Sequence, residues 1–159
     1  MHNRRKTELE KSAKQTKLGV FHANSWDIKI TNELLNDLLN HASINGLNRA
    51  RLCLNPTRYE PLQFMYIAFL RPYSDKAHYH PNNINIHLPI LGEANYHVYS
   101  KKGKLLRTHL LSGQNPHPVV TPKGVSNATE IISNHFIKLE ITPGMFDESS
   151  TVYLNVLDI

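Results

Sequence analysis

The chain has 159 residues, 40% of them hydrophobic, with a single cysteine at Cys53. This length suits one domain with its own core. One cysteine excludes an internal disulfide framework and fits a reducing, cytoplasmic setting. The formal charge of +5 is concentrated at one end: residues 1–17 hold six basic side chains against Glu8 and Glu10, leaving the rest nearly neutral.

No basic stripe interleaved with aromatics follows, so nucleic-acid recognition is not expected. No apolar run reaches the roughly 18 residues of a membrane-spanning helix, and the N-terminus lacks the apolar core of a secretion signal.

In chain order, residues 1–25 read as a basic, solvated, weakly helical extension. Its basic part, residues 1–17, has no apolar stripe long enough to bury, so deleting it is expected to leave the melting temperature nearly unchanged. A single β-rich domain is expected over 26–159. Thr31 or Asn32 can cap a helix at about 31–44, with Glu33 in its first turn. Leu34, Leu35, Leu38, Leu39 and Ala42 then form one apolar stripe, and Asn45-Gly46 ends it.

Short strands follow. Arg51–Leu54 is one, and Gln63–Leu70 is apolar on both faces and so expected to be buried. Asn95–Ser100 and Lys104–Leu111 form a hairpin around Lys101-Lys102-Gly103-Lys104. Val119-Val120, Ile131-Ile132, Phe136–Ile141 and Val152–Leu157 complete the set. Many short strands with Gly and Pro punctuation argue for a sandwich or barrel.

The stretch that carries chemistry is Lys76 to Gly92. Alternate residues of a strand share a face. His78 and His80 therefore share one, and Asn85 and His87 share one on the next strand, with Pro81-Asn82-Asn83 as the turn between them. Two antiparallel strands could aim these four side chains at one spot, a geometry suited to a metal or a small ligand. A solvated polar strand face is the alternative.

The ordered pieces resemble the cupin superfamily. His78, His80 and Gly92 fall on its first motif, and Pro122 and Gly124 on its second. The body is similar in more detail to the WbuC-type family of cupin-fold metalloproteins, which are associated with bacterial O-antigen and other surface-polysaccharide gene clusters. The helix, the Arg49–Leu54 strand, Pro61-Leu62-Gln63, Lys76, His78 to Pro81, His87, Leu91-Gly92 and Pro143 to Asp147 carry that similarity.

The resemblance implies a mainly β fold, a cupin jelly roll (double-stranded β-helix) with one N-terminal helix packed outside. It also implies a pocket, with His78 and His80 as metal ligands and Gln63, Lys76, Asn85, His87 and Asn127 as substrate-binding residues. The pattern departs from the family's at its strongest anchors: Asn85 stands where cupins carry a metal-binding glutamate, Asn127 where they carry a histidine, and Asn55 at a loop position often histidine.

A neutral amide is a much poorer ligand for a transition-metal dication than a carboxylate or imidazole. Any divalent metal is therefore expected to be weakly held. The first functional reading is a binder of a sugar or sugar nucleotide in surface-polysaccharide biosynthesis. The second is an isomerase or epimerase acting on a sugar nucleotide, or a metal-dependent enzyme, using the His78/His80/His87 pocket with His87 as the candidate base. The third is an interaction protein that forms a homodimer through its jelly-roll sheet.

Overall fold

The computed structural model describes residues 5–145 and 147–155. In chain order the elements are α1 (Glu8–Ser12), β1 (Ala13–Lys17), β2 (Val20–Ala23), α2 (Asn32–Ile44), β3 (Arg49–Cys53) and β4 (Leu62–Leu70). There follow β5 (His78–Tyr79), β6 (Asn85–Leu91), β7 (Glu93–Tyr99), β8 (Leu105–Ser112), β9 (Val119–Thr121), β10 (Ser126–Ile131), β11 (His135–Pro143) and, after a 3-10 turn at Glu148–Ser150, β12 (Val152–Tyr153). Of the last predicted strand, Val156 and Leu157 lie outside the described residues, as does Phe146.

Two sheets face each other. The larger has seven strands in the order β1-β2-β3-β4-β11-β6-β9, and the smaller has five in the order β12-β5-β10-β7-β8. All pairings are antiparallel except β2 with β3. Strand alternation splits the side chains of the large sheet into two layers. Outside, Ala50, Leu52, Ala68 and Ile137 join Leu34, Leu38 and Ala42 of α2 in one apolar cluster. Inside, Met65, Ile67, Phe69 and Phe136 join Ala94, Tyr96, Val98 and Ile131 in a second.

The helix begins where the sequence places it. The Thr31 hydroxyl accepts from the Leu34 amide at 3.2 Å, satisfying one of the unpaired donors at the helix start. Gly92 makes the tight link from β6 to β7 at φ +74°, and a Cβ there would sit 2.1 Å from the His135 carbonyl oxygen. Only glycine tolerates both that backbone and that approach. Strand β10 is longer than its sequence suggests: only Ile131-Ile132 reads as strand, because Asn127 and Thr129 interrupt the apolar pattern while facing inward.

The basic segment corrects the expectation of a free extension. Residues 8–23 belong to the domain, with β1 and β2 extending the large sheet. Thr7 and Glu10 form a reciprocal capping box around α1, and the Leu9 amide donates to Asp37 of α2 at 3.1 Å. Leu9 is fully buried and Phe21 nearly so. One leucine on a one-turn helix leaves no periodic stripe, so its docking is not legible from spacing.

Truncating either buried leucine should therefore be costly. Leu38→Ala and Leu9→Ala are each expected to lose ~2–5 kcal/mol in urea unfolding, and deleting residues 1–17 should lower the melting temperature. A deletion that melts like the parent would show the segment to be peripheral.

Candidate functional site

The inner layer opens at one end of the sandwich into a cavity of about 840 Å³, within the size range of small-molecule sites. Each wall comes from alternation on a strand. β3 contributes Arg49 and Arg51, β4 contributes Met65, Ile67 and Phe69, and β11 contributes Lys138 and Glu140. His87 of β6 and Asn127 of β10 also line it, with Lys76, His78 and His80 from the β5 region. Thr151, Tyr153 and Leu154 flank it from the chain's last described segment. That segment is held by β12 pairing with β5 and by the Leu154 amide, which donates to the Ala77 carbonyl at 2.9 Å.

Three ionisable groups meet on the inner face of the large sheet. The Lys138 ammonium lies 3.1 Å from Glu140 Oε2 and 3.2 Å from His87 Nδ1. His87 Nδ1 is 3.4 Å from the same carboxylate oxygen. Lys138 and His87 are almost fully buried, and the Glu140 side chain is 14% exposed. The ammonium also stands 5.6 Å from the centre of the Phe69 ring.

Burial would raise the Glu140 pKa, but the Lys138 charge beside it holds it well below the usual carboxylate range. Burial and then the Lys138 charge lower the His87 pKa, so its ring is neutral. Its Nε2 is the one buried imidazole nitrogen among the described residues with no hydrogen-bond partner.

A second polar chain runs along the wall. Arg49 donates to the Tyr73 hydroxyl at 2.9 Å, and that hydroxyl donates to Asp75 at 2.8 Å. Burial and the Asp75 charge push the Tyr73 pKa up, so the phenol remains protonated. Cys53 is an inert core thiol, its pKa pushed by burial to about 11.

Of the residues singled out in the sequence, the structure gathers Lys76, His78, His80, His87 and Asn127 around the cavity. It does not bring Gln63 or Asn85 to the wall. Gln63 is buried and ties the 55–63 loop together, bonding Asn55 at 2.5 Å and the Glu60 carbonyl at 2.9 Å. Asn85 lies behind Glu140, donating to it at 3.4 Å and accepting from Thr142 at 3.1 Å. His97 is on the outer side of the smaller sheet, paired with Glu130 at 3.1 Å.

Arg49, Arg51, Lys138 and Glu140 are cavity residues that sequence reasoning missed. Their signal was Arg-x-Arg on β3 and Lys-x-Glu on β11, each alternating with apolar residues. Such a pattern reads as a solvated face until a second sheet is known to cover it.

The metal that a cupin fold implies finds a poor donor set. Asn127 spends its amide nitrogen on the Val125 carbonyl at 3.3 Å and the His78 carbonyl at 3.4 Å. His78 uses Nδ1 on the Lys76 carbonyl at 2.8 Å, and the His78 and His80 rings meet edge-on at 5.4 Å. The remaining imidazole–carboxylate pair, His87 and Glu140, is taken by Lys138. No group of three or more His, Cys, Asp or Glu side chains placed to hold a metal occurs among the described residues. The residues present do not fit a tightly bound metal.

No protein-family model matches the chain, and no curated protein matches it either. Solved structures do. CapF, a capsular polysaccharide assembling protein of Staphylococcus aureus, superposes with a TM-score of 0.60 at 15% identity, over 69% of this chain and 32% of that one. KdgF from Halomonas sp. gives 0.53 at 14% identity, over 64% of this chain and 85% of that one. Oxalate decarboxylase from Bacillus subtilis gives 0.54 at 16% identity, over 67% and 27%. The chain thus spans about a third of the length of CapF. These likenesses establish the fold: a mainly β cupin jelly roll with α2 packed on its outside.

The buried charges set an acid limit on stability. His87 has a folded-state pKa below its ordinary 6.5. Between those two values the unfolded chain binds a proton that the folded chain does not, so stability falls as pH falls below 6.5. Glu140, depressed from 4.5, stabilises above that pH and loses its contribution as pH falls further. Urea midpoints should be level near neutrality with respect to these groups and decline from about pH 6.5 downward. A midpoint that rises on acidification would contradict this arrangement.

Proposed function

We propose that this chain is a small-molecule binding protein whose jelly-roll cavity takes an anionic sugar derivative, a sugar acid or sugar nucleotide, in bacterial surface-polysaccharide biosynthesis. The observation that carries the reading is the cavity's charge. Arg49, Arg51, Lys76 and Lys138 face it against only Asp75 and Glu140. Arginine and lysine are the side chains that bind carboxylate and phosphate. Tyr73, Phe69 and Tyr153 add aromatic surface on which a sugar or base ring can stack.

The polysaccharide setting is supported by the WbuC-type resemblance and by the capsular-polysaccharide role in the name of CapF. A cytoplasmic location fits both that setting and the lone reduced cysteine. No helix among the described residues is long and apolar enough to cross a membrane. A homodimer of such domains is compatible with the reading but is not required by it. In this reading a divalent metal plays at most an accessory part, weakly held by His78 and His80.

A second reading, an isomerase or epimerase with His87 as the base, is favoured by one feature the sequence did not reveal. Glu140 lies 3.4 Å from His87 Nδ1 and could orient the ring for proton transfer at Nε2. Turnover of nucleotide sugars by the parent, lost in His87→Gln, would select this reading.

The binding reading is tested by melting the protein against nucleotide sugars, sugar acids and neutral sugars. An anionic ligand at 100 times its Kd should stabilise by about 2.7 kcal/mol. Lys76, exposed at the mouth, is the mild probe: Lys76→Ala should weaken that ligand roughly tenfold and reduce its salt dependence. Neutral sugars binding as well as anionic ones would overturn the proposal.

A further inference from the structure

The donors that remain for a cation in this cavity already hold one. His87 Nδ1 and Glu140 Oε2 are an imidazole and a carboxylate, the ligand types that a divalent metal takes at about 2.0–2.2 Å. Here the two lie 3.4 Å apart and the Lys138 ammonium completes a triangle with them, 3.2 Å from one and 3.1 Å from the other. An ammonium has three donors and no acceptor. Toward Glu140 it donates to a carboxylate, and toward His87 it can only donate, which requires Nδ1 to be the acceptor. A neutral His87 then carries its proton on Nε2, and that is the ring nitrogen with no hydrogen-bond partner in the buried wall.

We propose that Lys138 is the cavity's resident cation: its ammonium occupies the His87–Glu140 donor pair in place of a metal and fixes His87 as an Nε2–H donor. The pieces depend on one another. A buried lysine needs a counter-charge, and Glu140 supplies it. A carboxylate beside a metal-free imidazole needs a cation, and Lys138 supplies that. The result is one fixed positive charge and one spare N–H at the cavity wall. Together they suit an anionic or carbonyl oxygen of a ligand. The assignment stands whichever anion fills the cavity, and it is incompatible with His87 acting as a base at Nε2, because that nitrogen already carries the ring's one proton.

The test uses untagged full-length protein stripped with chelator and then offered Zn²⁺, with bound metal counted after dialysis. The parent should retain none, any binding at His78 and His80 being lost on dialysis. Lys138→Met keeps the bulk of the side chain and removes the charge. It should gain Zn²⁺ affinity on the order of 100-fold, and Lys138→Met with His87→Gln should lose that gain. Dialysis-resistant, stoichiometric zinc in the parent would overturn the proposal, as would unchanged affinity in a folded Lys138→Met.

Because that variant could fail to fold, a second measurement is made on the parent. The ¹⁵N shifts of His87 should report a neutral ring with the proton on Nε2, unmoved by Zn²⁺. A proton on Nδ1, or a zinc-dependent shift of this ring, would overturn the assignment. Neither experiment uses a sugar ligand, so their failure is distinguishable from failure of the binding proposal.

Discussion

The structure around the cavity depends on an ion pair between neighbours on one strand face. Lys138 and Glu140 are two apart on β11, so both point inward, and their charged ends meet at 3.1 Å. Removing two charges from water is expensive, and mutual attraction offsets it only when further hydrogen bonds complete the set. His87 and Asn85 supply those bonds from β6, the strand paired with β11. The interior polar network is thus built across a single ladder, with Glu140 directly opposite His87 in the register.

That network is held by what lies behind it. On the other face of β11, Ile137 belongs to the apolar layer under α2 and the N-terminal segment. β11 sits in the middle of the large sheet, between β4 and β6. A central strand buried on one face and charged on the other has little freedom to slip, because a one-residue shift would exchange the two faces. The outer layer therefore fixes the position of the inner charges, and Leu9 and Phe21 extend that layer. Among the described residues, 8–23 support the site from behind and do not line the cavity.

How much of this was legible depended on whether a pattern is local. The α2 stripe, its Thr31 cap, the long β4 strand and the β7–β8 hairpin are local, and the structure places them near where the sequence does, whereas β1, β2 and most of β10 are not legible. The expectation of His78, His80, Asn85, His87 and Asn127 near one spot came from strand alternation and the cupin resemblance; all but Asn85 line the cavity. The partner of His87 was not legible, because Glu140 lies 53 positions further along the sequence and meets it only through sheet pairing. Arg49 and Arg51 were hidden for the same reason. A charged strand face looks solvated in sequence, and only the covering sheet turns it into a cavity wall. Gln63 lies off the cavity wall, its amide bonding the 55–60 loop.

The two asparagines that the cupin resemblance sets at ligand positions are built into hydrogen-bond networks of their own. Each is integrated into its surroundings. Asn85 donates to Glu140 and accepts from Thr142, which a glutamate could not do: its carboxylate would replace a donor with an acceptor beside an existing negative charge. Asn127 bonds the His78 and Val125 carbonyls and so helps hold β5 against β10. A histidine there would have to give up both contacts to turn toward a metal. A glutamate at position 85 would therefore leave Lys138 in place and add a carboxylate beside Glu140. The cation of this cavity is carried on β11, and of the two amides Asn85 contacts its counter-ion Glu140 directly.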